Sequence, residues 1–161
     1  EQLKWLRGDL QKVDPETPLI VFAYRPLFEL RAEWGWKTAD GEKALELFRS
    51  FKHVAVFYGH IHQEHHATVG SLRFHAAPSL MYPFPAPESE TELAPVPWDP
   101  AAPWKDLGYC GVVVAPASFE IRIIRYPIPG APEAKTAGEA PVPEAQPRAE
   151  VETAEVPQLQ E

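Results

Sequence analysis

His60 and His62 stand two positions apart at the end of an apolar run, in the stretch Val54-Ala55-Val56-Phe57-Tyr58-Gly59-His60-Ile61-His62. Neutral imidazole is a common ligand for zinc, iron, manganese and nickel. In extended backbone, residues i and i+2 project to the same side, so both rings could aim at one point. Gly59 has no Cβ and would let the chain turn sharply toward a shared ligand. The spacing therefore predicts one corner of a metal site, with His60 and His62 as the ligands. The competing reading is a polar turn that happens to contain two histidines.

More potential donors follow in Gln63-Glu64-His65-His66 and at His75. Adjacent residues of a strand point to opposite faces, so at most one of His65 and His66 could turn toward His62. These two and Glu64 are expected to be ordinary polar strand residues. His75 would need hairpin pairing to come near and is left outside the site.

The elements that must position these groups can be read from periodicity. Leu3, Leu6, Leu10 and Val13 follow a helical apolar period, which predicts a helix over about 1 to 13. A buried strand is expected over about 19 to 24, then an aromatic loop with Trp34-Gly35-Trp36. A helix over about 40 to 51 would turn Leu45, Phe48 and Phe51 to the core, with Lys52 near its end. The run from 54 to 58 is apolar throughout and rich in β-branched and aromatic residues, so it reads as a strand buried on both faces. Segments 64 to 69 and 71 to 76, joined through Gly70-Ser71, read as a hairpin. A Pro-rich loop from about 77 to 108 holds Trp98 and Trp104 and precedes two strands, about 109 to 115 and 118 to 125. In the last of these Phe119, Ile121 and Ile123 alternate with Glu120 and Arg122, the pattern of a half-exposed strand. Helices between strands, then antiparallel strands, make an α/β class.

Gly59-His60-Ile61-His62 after an apolar strand resembles the last motif of the calcineurin-like metallophosphoesterases, of the form Gly-His-x-His. Upstream, the strand ending in Ala23-Tyr24-Arg25-Pro26-Leu27 is similar to that family's preceding motif, a buried strand ending in His-x-Pro-Leu. Gln2-Leu3-Lys4-Trp5-Leu6 resembles the opening of the helix before it. The likeness spans residues 1 to 80. It implies a two-sheet sandwich flanked by helices, and metal-dependent hydrolysis of a phosphomonoester or phosphodiester. It implies a divalent or dinuclear metal centre of iron, manganese or zinc, with His60 on one ion and His62 on the other, and a small-molecule phosphate ester as partner. The family's first motifs (Asp-x-His, Gly-Asp, Gly-Asn-His-Asp/Glu) are expected upstream of this chain, which would then hold the carboxy-terminal part of the domain and be inactive alone. The sequence has no asparagine to supply the family's asparagine ligand. Gly8-Asp9 lies within the opening helix, where Asp9 reads as a solvated residue.

Tyr24 departs from the pattern, since the family has a histidine ligand there. A phenol ionises only around pH 10 unless a nearby metal lowers it. Three readings stay open: a lost ligand, a phenolate ligand, or a hydrogen bond to substrate. A lost ligand would favour the alternative of a degenerate member acting as a binding or scaffolding module. Arg25 is a candidate phosphate contact through its forked guanidinium, or a surface arginine. Trp34 and Trp36 either line a cleft or pack beneath the Pro-rich loop. Pro83-Phe84-Pro85-Ala86-Pro87 reads as a stiff connector over a sheet edge, or as a polyproline ligand for an aromatic groove.

The 161 residues carry a formal charge of −8. From 129 to 161 there are seven Glu against one Lys and one Arg, with six prolines and no aromatic residue. That tail accounts for −5 and leaves −3 on residues 1 to 128, which form one domain. So little apolar surface cannot offset the entropy of ordering, and the tail is expected to be disordered. Basic residues are scattered, which argues against a nucleic-acid surface. No apolar run reaches the length of a membrane span. Cys110 is the single cysteine, expected as a buried thiol beside Val112 to Val114. Any export signal would precede the chain, so an extracytoplasmic location stays open.

Overall fold

The computed structural model describes residues 1–88, 92–115, 119–126 and 128. The segment expected to be disordered, 129 to 161, lies outside them. Two sheets and two α-helices make a mixed α/β fold, with no barrel among the described residues. In chain order these are α1 (Gln2–Leu10), β1 (Leu19–Ala23), α2 (Gly41–Phe48), β2 (Val54–Tyr58), β3 (His65–Val69), β4 (Leu72–Ala76), β5 (Tyr109–Ala115) and β6 (Glu120–Tyr126). A 3-10 turn over Ala32–Trp34 interrupts the aromatic loop. Both helices are shorter than their apolar periodicity, because Val13 and Phe51 reach the core from the turns that follow.

The larger sheet has the order β1-β2-β4-β3. β1, β2 and β4 run parallel, and β3 is antiparallel to β4. The hairpin closes through Gly70 at φ 62°, a positive angle that two-residue hairpin turns require and that costs glycine nothing. β4 takes the inner place of the hairpin because Leu72, Phe74 and Ala76 bring apolar surface to it and are buried. β3, with exposed His66, Thr68 and Val69, takes the edge. The smaller sheet is the antiparallel pair β5-β6. It is tied to the rest by the Arg125–Glu64 ion pair (3.1 Å), by the Gly108 N–H donating to the Ser79 carbonyl, and by Phe119 against His53.

One core gathers Val54, Val56 and Tyr58 of β2 with Leu72, Phe74 and Ala76 of β4, Ala44 and Phe48 of α2, Phe51, Leu27, Trp34, Trp36 and Ile61. Leu3, Leu6 and Leu10 of α1 and Leu19, Val21 and Ala23 of β1 pack on it partly buried. β2 is enclosed on both faces, as its unbroken apolar run requires, with Ala55 and Val56 at 0% exposure. β1 is different. Expected as a buried strand, it pairs with β2 alone among the described residues and alternates, with Ile20 44% and Phe22 80% exposed. An apolar run states which residues prefer burial, and whether a second layer is present depends on the rest of the fold.

Trp36 is fully buried and Trp34 nearly so, the two rings packed edge to face. Trp36 lies against Phe84, so these indoles sit beneath the Pro-rich loop. That loop is fastened by its backbone: the Pro85 carbonyl accepts from Gln63, the Pro87 carbonyl from Arg31, and the Pro83 carbonyl from the Val96 N–H. It behaves as a connector held against the domain. Asp9 of α1 is solvated and pairs with Lys12 just beyond the helix end. Lys52 lies beyond the end of α2 and pairs with Glu16. Cys110 is only half-buried, and Val112 and Val113 of the same strand are themselves 41% and 43% exposed.

A candidate metal centre at the ends of the parallel strands

β1 and β2 run side by side in register, Ala23 opposite Tyr58, so their carboxyl ends deliver Tyr24 and Gly59 to the same edge. The Gly59 N–H donates to the Tyr24 carbonyl and continues the ladder one step past both strands. Beyond β1 the chain is pinned at once. Pro26 is fully buried, its carbonyl accepts from the Thr38 N–H, and Leu27 is buried. Tyr24 and Arg25 are thereby left projecting from a fixed strand end, both exposed.

The turn carrying the histidines is not extended. His60 has φ 71° and His62 φ 54°, both in the left-handed region that L-residues avoid. Gly59, expected to supply the turn, has ordinary φ, and a Cβ there would meet only the Tyr24 carbonyl at 3.9 Å. The strain therefore falls on the two histidines. Ile61 between them is 0% exposed and acts as the plug that holds this conformation. Side chains in sparsely populated backbone states persist where the surroundings over-determine them, and such states gather at functional sites.

The rings themselves are held from different directions. His60 packs edge-on to Tyr24, centroids 5.3 Å apart. Burial lowers its pKa, and the charges of Arg25 and His62 lower it further, so Arg25, His60 and His62 share one neighbourhood. The neutral imidazole is thus favoured, the form that binds a metal. His62 Nδ1 lies 3.0 Å from the Tyr82 carbonyl oxygen, with the ring against those of Tyr82 and Phe84. A carbonyl only accepts, so Nδ1 carries the proton and the neutral ring keeps its lone pair on Nε2. Metal-bound histidines are oriented in this way. Sequence reasoning did not find Tyr82, and no local pattern marks it: its contribution is a backbone oxygen brought in by the Pro-rich loop.

The residues expected at the site thus come together as Tyr24, Arg25, His60 and His62. His65 turns away, its Nδ1 bonded to the Tyr58 hydroxyl. Glu64, His66 and His75 form a separate group: His66 Nε2 contacts Glu64 Oε1, and His66 Nδ1 contacts His75 Nδ1, both at 3.0 Å. The hairpin pairing needed to bring His75 to another histidine exists, but the partner is His66 rather than His62.

Among the described residues no group of three or more His, Cys, Asp or Glu is arranged to hold a metal ion. The described residues fit the imidazole corner of a metal centre, and not the whole of one. No protein-family model matches the chain, and no curated protein matches it. No helix among the described residues is long and apolar enough to cross a membrane.

Proposed function

We propose that this chain supplies the histidine pair of a metal-dependent phosphoesterase, which in its intact form hydrolyses a phosphomonoester or phosphodiester. The reading extends the resemblance of Gly59-His60-Ile61-His62 and Tyr24-Arg25-Pro26-Leu27 to the calcineurin-like family. The observation that supports it is the state of His62, whose Nδ1 is bonded to the Tyr82 carbonyl so that Nε2 keeps its lone pair, with His60 in the same neighbourhood. A divalent metal in such a site lowers the pKa of a bound water and clamps the phosphoryl oxygens. By the resemblance His60 would serve one ion of the centre and His62 the other, and Arg25 would offer its guanidinium to the ester's phosphate. Two imidazoles alone bind first-row metals weakly, so the chain by itself is proposed to be a poor catalyst.

A second reading, from a different class, is a degenerate member that keeps the fold for binding or scaffolding. Tyr24 favours it, since an exposed phenol stands where the family has an imidazole. Metal content and hydrolysis of a chromogenic phosphomonoester and phosphodiester, measured on the intact protein, separate the two. For the enzyme, His60→Ala and His62→Ala each strip metal and lower the rate at least about 100-fold, as loss of a direct ligand requires. Metal and rate unchanged in both variants would remove the phosphoesterase reading.

A further inference from the structure

The face of the sheet that carries Phe22 bears a row of rings running across all four strands. Register places Phe22, Phe57, His75 and His66 side by side on β1, β2, β4 and β3. Successive centroids are 5.6, 5.3 and 5.2 Å apart. The row ends in two imidazoles whose Nδ1 atoms face each other at 3.0 Å. Two nitrogens bound to one ion at about 2.0–2.1 Å lie about 2.9 Å apart at a right angle and about 3.4 Å apart at a tetrahedral angle. The observed separation is within the first geometry and close to the second.

We propose that His66 and His75 form a second metal site, a cross-strand two-histidine chelate for a divalent transition-metal ion, with water completing the shell. Three features fit that ligand. The first is the outer partner of His66. Its Nε2 is 3.0 Å from Glu64 Oε1, and the other carboxylate oxygen is held by Arg125 at 3.1 Å. A carboxylate accepts, so Nε2 carries the proton and Nδ1 presents its lone pair. This is the carboxylate–histidine arrangement that orients metal-bound imidazoles. The second is the state of His75. Its Nε2 is buried with no hydrogen-bond partner, so Nδ1, turned toward His66, is the nitrogen open to an ion. The third is access: His66 is 43% exposed, so water and ions reach the pair.

Without metal, the facing nitrogens share one proton: His75 Nδ1–H donates to His66 Nδ1, and His75 Nε2 stays buried without a partner. On binding, both Nδ1 lone pairs go to the metal and the proton of His75 passes from Nδ1 to Nε2. The net number of protons is unchanged. With two protein donors the affinity order follows the intrinsic one, copper(II) above nickel and zinc.

The test uses copper(II) as the probe, in the full chain carrying His60→Ala and His62→Ala so that the other histidine pair is silent. Electron paramagnetic resonance should show nitrogen hyperfine splitting from two imidazoles, and calorimetry one bound copper. His66→Gln should weaken that binding at least about 100-fold, and Glu64→Gln about 10-fold through loss of the outer partner. His66 is half-exposed, so its variant tests binding without disturbing the core, and circular dichroism checks this. Undiminished copper binding in His66→Gln overturns the proposal. So does copper binding by the wild-type chain that disappears entirely with His60→Ala and His62→Ala, a result that leaves the first site standing.

Discussion

His62 donates from Nδ1 to the carbonyl oxygen of Tyr82, 3.0 Å away and 20 positions further along the chain. The bond fixes the tautomer of a residue whose own backbone is strained, and it ties the Pro-rich loop to the ends of the parallel strands. The candidate centre is therefore supported in part by a loop outside the strand ends that carry its histidines.

That bond makes a prediction about an atom. In two-bond nitrogen–proton correlation spectra at neutral pH, the unprotonated nitrogen of His62 should be Nε2. Added zinc should shift that nitrogen first. An Nε2–H tautomer, or a His62 spectrum indifferent to zinc, would contradict the ligand role.

Tyr24 separates the readings left open for it. If it replaces a lost ligand, Tyr24→His in the intact protein should tighten metal binding and raise the hydrolytic rate, and Tyr24→Phe should change little. If it binds as phenolate, Tyr24→Phe should lose metal, because only the oxygen differs. Its ring is 75% exposed, so neither change disturbs the core, and Tyr24→Phe keeps the ring that His60 packs against.

Gly41→Ala should destabilise the fold, although alanine is favoured over glycine inside a helix by about 1 kcal/mol. A Cβ at Gly41 would stand 2.1 Å from the Leu27 carbonyl oxygen and 2.7 Å from its Cα, so the backbone must move. The expected loss is about 1–3 kcal/mol, the usual cost of overpacking, seen as a lower urea midpoint. A raised midpoint would mean that α2 does not dock on Leu27 as described. The same clash reaches the site, because Leu27 follows the Tyr24-Arg25 strand end.

Cys110 should alkylate slowly. Burial raises its pKa above that of a free thiol, and Glu64 raises it further while Arg125 opposes both. At pH 8 the thiolate fraction is then below that of a free thiol, and the rate should keep climbing at pH values where a free thiol has levelled off. Unfolding in urea should restore the ordinary rate. A native rate equal to the unfolded one would place the thiol in free solvent.

Local pattern identified most of the elements. The unbroken run from Val54 to Tyr58 could only suit a strand enclosed on both faces, and that is β2. Leu45, Phe48 and Phe51 at helical spacing marked α2 and the turn beyond it, and alternation in Glu120–Tyr126 marked β6. His60 and His62 were legible as a pair at a strand end because a glycine after an apolar run announces a turn. The wrong residue was credited with the turn: Gly59 is ordinary and the histidines carry the positive φ, since the buried Ile61 dictates the path between them.

What sequence alone determined is which segments seek burial and which carry donors, because these follow from side-chain type and from periods of 3.6 and 2. Tertiary structure decided what lies beside them. Only the placement of β4 beside β2 sets Phe57 against His75, and only the fold of the Pro-rich loop brings the Tyr82 carbonyl to His62. Only the arrangement of layers leaves Phe22 exposed on an apolar strand while Phe57 beside it is half-buried. The physical reason is common to all three. Neighbours distant in sequence depend on how strands order and layers close, and no residue's own chemistry specifies its partner across that distance.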